Sequence, residues 1–348
     1  MKKNRLGKSS IVVSDICMGT MTFGNQADEK ASFRIMDMAY DAGVDFYDTA
    51  EMYPGPPDPK YVGATEEIVG RWMKTKDRES LIIASKVAGP SHVWITAPFR
   101  GGKTGLDRHH IMRAVEGSLR RLDTDYIDLY QLHWPERNTN YFGELGYKAG
   151  EEEAFLTPIT ETLCALKKQV DAGKIRYIGL SNETPWGIMQ FLTLAKEYSL
   201  PVIVSVQNPY NLLNRSYEIG NAEISHRENV SLLAYSPLGF GVLSGKYLNN
   251  KKPAGARITK WPNYARYSSE QGISATTSYV DLAIRYGLDP AQMALAFVNE
   301  QAFVASNIIG ATTMLQLESN IASVDIQLSE ELKFDIEEIH KKYQNPSP

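Results

Sequence analysis

The sequence contains little of what marks several common classes of protein. It has two cysteines in 348 residues, Cys17 and Cys164. That number is too small for a disulfide framework and favours two small core side chains in a reducing compartment. The chain has no uninterrupted run of about 18 apolar residues, and its basic start is not followed by an apolar segment. We therefore predict neither a membrane span nor a signal peptide.

An excess of charge of one sign is also lacking. The formal net charge is −4, from 37 Lys and Arg against 41 Asp and Glu, so the sequence does not indicate a general nucleic-acid-binding surface. It contains no cluster of Cys and His with metal-ligand spacing, and we expect no metal. The resulting expectation is a cytoplasmic protein without nucleic-acid or membrane partners. The sequence leaves its oligomeric state open.

What the chain does contain is an alternation of strand-like and helix-like segments. About eight short runs are apolar throughout, as parallel strands covered on both faces should be. Between them, apolar residues recur at helical spacing, for instance at Ile111, Val115 and Leu119 after the N-cap Asp107. The predicted strands are 16–18, 46–48, 81–85, 127–132, 175–180, 203–207, 231–235 and 306–309.

This alternation predicts a parallel sheet. About eight units suit a closed (β/α)8 barrel, preceded by a short hairpin and formed as a single domain over 1–348. A doubly wound open sheet is the alternative, but Met18-Gly19-Thr20-Met21-Thr22-Phe23-Gly24 after the first strand lacks the Gly-x-Gly-x-x-Gly spacing of dinucleotide-binding sheets. Three long connections would lie at the mouth of the barrel, where loops shape binding sites: 87–106, 135–156 and 237–274.

Titratable residues stand at the carboxyl ends of successive predicted strands. Asp48, Lys86 and His133 end three of them, and Tyr53 follows Asp48 by five positions. In a barrel these side chains would converge, because adjacent strands lie about 5 Å apart. An ammonium lowers the pKa of a nearby phenol, a carboxylate keeps the ammonium charged, and an imidazole can orient a carbonyl oxygen. The set predicts a proton donor aimed at an oxygen, as carbonyl reduction requires.

Several longer motifs resemble the aldo-keto reductase family of NADPH-dependent (β/α)8-barrel oxidoreductases. They lie at 43–53 (GVDFYDTAEMY), 84–87 (ASKV), 125–133 (DYIDLYQLH), 173–182 (GKIRYIGLSN) and 234–239 (AYSPLG). Within the family, the sequence resembles the bacterial Tas-like branch and is similar to the potassium-channel β-subunit branch. The resemblance extends from about residue 19 to residue 320. It implies reduction of aldehyde or ketone carbonyls to alcohols, with Tyr53 as proton donor and Asp48, Lys86 and His133 completing a tetrad.

Residues after the later strands predict where a nicotinamide cofactor binds. Ser181, Asn182 and Gln207 suit a carboxamide, and Tyr235 offers a flat face for the ring, although a core aromatic would show the same pattern. Lys246 and Arg257 suit a 2′-phosphate, hence NADPH, or are solvated surface charges. Between them and the strand lies a small-residue loop that can approach a pyrophosphate: Ser236, Pro237, Leu238, Gly239, Phe240, Gly241, Val242, Leu243, Ser244 and Gly245.

Further cofactor contacts are expected at both ends of the chain. The run Gly310-Ala311-Thr312-Thr313 opens a helix, which makes a natural anion site. The resemblance implies adenosine contacts at Gln316 and Asn320, with Ser319 where channel-subunit relatives usually have Glu. We also expect Gly19, Thr20, Met21 and Asp48 to contact the cofactor. The predicted substrate contacts, some of which could instead anchor surface loops, are Tyr53, Trp94, His133, Trp134 and Tyr141.

Two other functions fit parts of this pattern. A slow or non-catalytic NADPH-binding subunit that senses redox state would carry the same residues, although the complete tetrad favours catalysis. A hydrolase barrel would need a carboxylate pair, and Asp48 with Glu51 is a poor candidate beside Lys86. The physiological substrate is not determined by the sequence.

Overall fold

The computed structural model describes residues 1–91, 102–150 and 156–348. Its centre is a closed barrel of eight parallel strands in the order β10-β3-β4-β5-β6-β7-β8-β9. Strands that follow one another along the chain lie side by side, and β10 closes the barrel by pairing with β3. The strands are β3 (Ile16–Gly19), β4 (Phe46–Asp48), β5 (Ile82–Val87), β6 (Ile127–Leu132), β7 (Ile175–Ser181), β8 (Ile203–Pro209), β9 (Ser231–Tyr235) and β10 (Val304–Ile309). The predicted (β/α)8 barrel is confirmed, and the open sheet is excluded.

Helices cover the outside of the barrel and follow the predicted pattern closely. Several begin at side-chain caps, such as Asp107 before α3, which accepts from the backbone N–H of His110. The helices are α1 (Glu29–Asp41), α2 (Ala64–Met73), α3 (Arg108–Leu122), α4 (Ile159–Asp171), α5 (Pro185–Glu197), α6 (Asn221–Glu228), α7 (Arg257–Lys260), α8 (Glu270–Arg285), α9 (Pro290–Asn299), α10 (Met314–Ala322) and α11 (Glu330–Lys342).

Two helical segments differ from the prediction. The sequence predicts one helix over 216–227, but the structure has a 3₁₀ turn, Ser216–Ile219, followed by α6, because Gly220 between them has a φ of 156°. The short helix α7 was not predicted, since four residues give too little periodicity to recognise. None of the helices among the described residues is long and apolar enough to cross a membrane.

The predicted N-terminal hairpin closes the end of the barrel where the strands begin. Its strands, β1 (Lys3–Arg5) and β2 (Val12–Ser14), pair antiparallel. Leu6, Ile11 and Val13 are buried and pack with apolar side chains of the barrel strands in one cluster. The opposite end, where the parallel strands finish, is left to form the site.

The two cysteines differ from each other. Cys17 in β3 is buried, as predicted, whereas Cys164 in α4 is exposed. The expectation that Cys164 is a core side chain is wrong, because α4 turns Leu163, Ala165 and Leu166 inward and leaves Cys164 on its outer side.

Candidate active site

The carboxyl ends of the strands open into a cleft of about 1260 Å³. Asp48, His133, Ser181, Gln207 and Tyr235 line it, and each lies near or directly after the carboxyl end of a different strand. All eight strands run in the same direction, so side chains from distant parts of the chain meet at one end of the barrel. The long loops after β6 and β9 add further walls.

A fully buried lysine lies beneath the floor of the cleft. The Nζ atom of Lys86 donates to Oδ2 of Asp48 at 2.5 Å and to the carbonyl oxygen of Thr49 at 2.8 Å, and it lies 3.5 Å from the hydroxyl of Tyr53. Burial alone would lower the pKa of Lys86, but the charges of Asp48 and Tyr53 outweigh it and raise that pKa. Lys86 is therefore a fixed cation beside a phenol.

Tyr53 carries its proton at neutral pH. Burial raises the pKa of its hydroxyl above the ordinary value, and the opposing charge of Lys86 offsets only part of that rise. Lys86 therefore lowers the pKa of the phenol, as expected, but it does not set the direction of the net shift. The stabilising effect of Lys86 is present, but desolvation in the cleft is larger.

His133 lies against Tyr53 as a neutral ring. The two rings meet edge to face, with centroids 5.7 Å apart and an interplanar angle of 80°. Burial, and then the charge of Lys86, hold the pKa of His133 well below its ordinary value. Its Nδ1 atom is buried and makes no hydrogen bond to a described residue. A neutral imidazole keeps one N–H donor, which suits it to bind an oxygen atom.

The ends of β7 and β9 are joined by side chains. Asn182 has a left-handed φ of 54°, and its Nδ2 donates to the carbonyl oxygen of His133 at 2.9 Å. Its Oδ1 accepts from the hydroxyl of Tyr235 at 2.6 Å. Burial raises the pKa of Tyr235 to about 12, so the phenol stays a donor. The ring of Tyr235 is thereby fixed as part of the cleft wall.

Two cations of the loop after β9 line the cleft without a counter-charge. Lys246 and Arg257 form no salt bridge within the described ranges. Burial and the like charge of Arg257 lower the pKa of Lys246, and burial also lowers that of Arg257. A Cβ on Gly241 would lie 2.6 Å from Nζ of Lys246, so the glycine makes room for the ammonium. Unpaired cations in a partly buried site fit a bound phosphate.

The turn before α10 forms the far end of the cleft. Oε1 of Gln316 accepts from the backbone N–H of Thr312 at 3.0 Å, and Nδ2 of Asn320 donates to the carbonyl oxygen of Gly310 at 3.2 Å. Thr313 caps the helix. These bonds fix the turn with the first helical N–H groups at the cleft, which suits an anion.

The structure brings most of the predicted residues together. Predicted substrate contacts that line the cleft are Tyr53, His133, Trp134 and Tyr141. Predicted cofactor contacts that line it are Gly19, Thr20, Met21, Asp48, Ser181, Asn182, Gln207, Tyr235, Ser236, Pro237, Leu238, Phe240, Gly241, Ser244, Lys246, Arg257, Gly310, Thr312, Gln316 and Asn320.

A few predicted residues lie elsewhere. Four described loop residues, Gly239, Val242, Leu243 and Gly245, do not line the cleft. Val242 and Leu243 pack into the core, because the 3₁₀ turn Gly239–Ser244 directs their side chains inward. Trp94 falls outside the described residues.

Several residues in and beneath the cleft were not predicted. Gln131 in β6 donates to Asp48, and its place two residues before His133, which directly follows β6, was an available signal. Arg266 lines the cleft and donates to the carbonyl oxygen of Pro348 at 2.7 Å. Met52 and Phe142 join Trp134 in an apolar cluster beside Tyr53. For Arg266 and Phe142, the position depends on the path of a long loop, which no local pattern specifies.

Comparison with known proteins identifies the family of the chain. The model of the aldo/keto reductase family matches residues 15–342. The chain is 52% identical to "Protein tas" of Escherichia coli (strain K12), over 100% of both chains. It is 35% identical to "Uncharacterized oxidoreductase YrpG" of Bacillus subtilis (strain 168), covering 95% of this chain and 94% of the relative. It is also 37% identical to "Aldo-keto reductase" of Babesia bovis, covering 76% of this chain and 98% of the relative. Matched over nearly its whole length, the chain belongs to the aldo/keto reductase family.

Proposed function

We propose that this protein reduces aldehyde or ketone carbonyls to alcohols with NADPH, with Tyr53 as general acid. As a member of the aldo/keto reductase family it is an oxidoreductase that acts on small-molecule carbonyl substrates with a nicotinamide cofactor. The observation that carries the finer proposal is the 3.5 Å approach of the Tyr53 hydroxyl to Lys86, which is itself bonded to Asp48. We also propose that residues 1–348 act as one domain; a cytoplasmic location stays a prediction.

The tetrad has the properties that proton donation requires. Tyr53 is protonated at neutral pH and can donate to a carbonyl oxygen as negative charge develops there. Lys86 then stabilises the phenolate that is left, and Asp48 keeps Lys86 charged and in place. The neutral ring of His133 can donate a second hydrogen bond to the same oxygen.

The cleft residues fit a nicotinamide dinucleotide. NADPH, when bound, supplies the hydride. Tyr235 would contact the nicotinamide ring, and Gln207 would bind its carboxamide. Lys246 and Arg257, which lack a counter-charge among the described residues, would bind the 2′-phosphate, and this is the reason to propose NADPH over NADH. The turn before α10 would bind the adenosine end.

The test is Tyr53→Phe, with Tyr61→Phe from the same loop as matched control. Tyr61 does not line the cleft. Stopped-flow fluorescence follows oxidation of bound NADPH by a panel of aldehydes, and a titration measures NADPH affinity. We expect Tyr53→Phe to slow oxidation by about a hundredfold or more with affinity nearly unchanged, since general acid catalysis contributes about that much.

Two results would contradict the proposal. If aldehydes oxidise NADPH bound to Tyr53→Phe at the wild-type rate, the phenol has no role in the mechanism. If the wild-type protein binds NADPH but no aldehyde or ketone oxidises the bound NADPH, the redox-sensing subunit would be favoured instead.

A further inference from the structure

We infer that Gln131 is a positioning residue, which acts through Asp48 and Lys86 on the proton donor Tyr53 and sets the orientation of Gln207. The inference rests on the proposed role of Tyr53. Gln131 is fully buried, does not line the cleft and is not one of the tetrad residues.

Two side-chain amides converge on one oxygen of Asp48. Oδ1 accepts from Nε2 of Gln131 at 3.1 Å and from Nε2 of Gln207 at 2.8 Å. The other oxygen, Oδ2, accepts from Lys86 at 2.5 Å. An ionised carboxylate only accepts hydrogen bonds, so it selects the NH₂ end of each amide. Asp48 is therefore bound on both sides and has one orientation.

The amides also bind each other. Nε2 of Gln207 lies 3.3 Å from Oε1 of Gln131. Within the described residues, Oε1 of Gln207 makes no hydrogen bond, and Gln207 lines the cleft. Gln131 thus fixes the amide of Gln207 so that Oε1 of Gln207 is free to accept from a ligand. An acceptor in this place is what binding the NH₂ group of a carboxamide requires.

The barrel provides space for Gln131. It pairs in register with Lys86 on one side and with Gly179 on the other. A Cβ on Gly179 would lie 3.3 Å from Cγ of Gln131 and 2.7 Å from Oγ of Ser205. A side chain at 179 would collide with Ser205 and press on Gln131.

The effect on Tyr53 follows from the charges around Asp48. The negative charge of Asp48 opposes ionisation of Tyr53. Each hydrogen bond that Asp48 accepts disperses part of that charge, so more of the positive field of Lys86 acts on the phenol. Besides these three, the titratable groups that act on the cluster are His133 and Cys17, which burial keeps neutral at pH 7, Tyr235 and Tyr264, whose pKa values burial raises, and the cation Arg257, whose charge also lowers the pKa of Tyr53. Removing the Gln131 amide should make the phenolate of Tyr53 harder to form.

The test compares Gln131→Met, which keeps the shape without the amide, with Gln131→Glu. The control is Tyr130→Phe, which removes a buried hydroxyl from the opposite face of β6. We expect Gln131→Met to transfer hydride about tenfold more slowly than wild type, since a hydrogen bond to a charged group is lost. Tyr130→Phe should react at the wild-type rate.

Gln131→Glu gives a pH signature that a purely structural role would not. A second carboxyl beside Asp48 in this buried place has a raised pKa. At a pH below that pKa the new carboxyl is neutral and can donate a hydrogen bond to Asp48. At a pH above it, the new carboxyl adds a second negative charge beside Asp48. Its hydride-transfer rate relative to wild type should therefore recover as the pH is lowered from about 9 to about 6. The ratio for Gln131→Met should stay low throughout.

A second measurement needs no turnover. In the protein without cofactor, Gln131→Glu should lose stability relative to Gln131→Met as the pH rises above the ordinary pKa of Glu, because the folded state keeps the proton longer. Chemical unfolding at several pH values measures this.

Gln131→Met with hydride transfer within twofold of wild type, or Gln131→Glu with a flat rate ratio, would overturn the inference. If Tyr53→Phe is inactive in the same assays, the proposed function stands and only the role of Gln131 fails. If Tyr53→Phe is fully active, the proposed function fails as well.

Discussion

At the scale of single residues, the site depends on charges that the fold removes from water. Lys86 has no exposed surface, and Asp48 is 2% exposed. Burying such a pair costs several kcal/mol per ion, which the attraction and additional hydrogen bonds must offset. The carbonyl of Thr49 and the amides of Gln131 and Gln207 supply those bonds. Lys246 and Arg257 lack this compensation, and they are the cations we assign to a ligand.

Replacing Lys246 with Gln should weaken NADPH binding by about tenfold or more and leave NADH binding almost unchanged. The lost interaction is a charge-assisted contact with a phosphate that NADH does not have. Fluorescence titration with both cofactors measures the two affinities.

The matched control is Lys260→Gln, since Lys260 belongs to the same loop but is exposed and does not line the cleft. An equal loss of NADPH and NADH affinity in Lys246→Gln would contradict an interaction with the 2′-phosphate.

At the scale of elements, strand β5 connects the site to the helical layer. Its successive side chains point to opposite faces. Lys86 faces the site, whereas Oγ of Ser85 donates to the buried carboxylate of Glu66 in α2 at 2.5 Å. Glu66 also accepts from Nε of Arg121 in α3 at 2.7 Å. This network fixes β5, and so Lys86, relative to two helices.

Gly70 should be essential for the close packing of α2 on α3. A Cβ there would lie 2.6 Å from the carbonyl oxygen of Leu122 and 2.7 Å from that of Arg121. Gly70→Ala should therefore destabilise the protein by about 1 to 3 kcal/mol, even though Ala favours a helix by about 1 kcal/mol. Urea unfolding measures the change.

Gly117→Ala in α3 is the matched control, because the atoms nearest to its Cβ would belong to the guanidinium of Arg121, the closest at 3.0 Å, and not to the backbone. It should be neutral or stabilising. Equal free energies of unfolding for the two variants would show that α2 and α3 can move apart without loss of stability.

At the scale of the whole molecule, the two ends of the barrel have different tasks. The hairpin closes one end with Leu6, Ile11 and Val13, and the other end opens into the cleft. Residues at the closed end should therefore affect stability, and residues at the open end should affect binding.

Leu6→Ala should reduce the free energy of unfolding by about 2 to 4 kcal/mol, since Leu6 has no exposed surface. NADPH affinity should stay within about twofold, because the cavity would form at the end away from the cleft. Val12→Ala on the same hairpin is the control: Val12 is 43% exposed and should change stability by less than about 0.5 kcal/mol. A large loss of NADPH affinity in folded Leu6→Ala would contradict this separation.

Much of this molecule was predictable from its sequence. Apolar strand runs alternating with helical periodicity specified the barrel, because a buried parallel sheet needs both. Asp48, Lys86 and His133 at strand ends, with Tyr53 close behind, predicted that these four side chains meet, because parallel strands finish at one edge. Both are local patterns in the sequence, and the parallel topology brings the side chains they mark to one end of the barrel.

Only the tertiary structure decided the rest. Whether the pKa of Tyr53 is raised or lowered depends on the balance of burial against the field of Lys86. Which loop residues face the cleft, Phe240 and Lys246 but not Val242, depends on how the loop after β9 folds, and so does the position of Arg266. The convergence of Gln131 and Gln207 on Asp48 joins three strands. Burial, loop paths and shared hydrogen bonds are properties of the assembled chain, and a local pattern does not encode them.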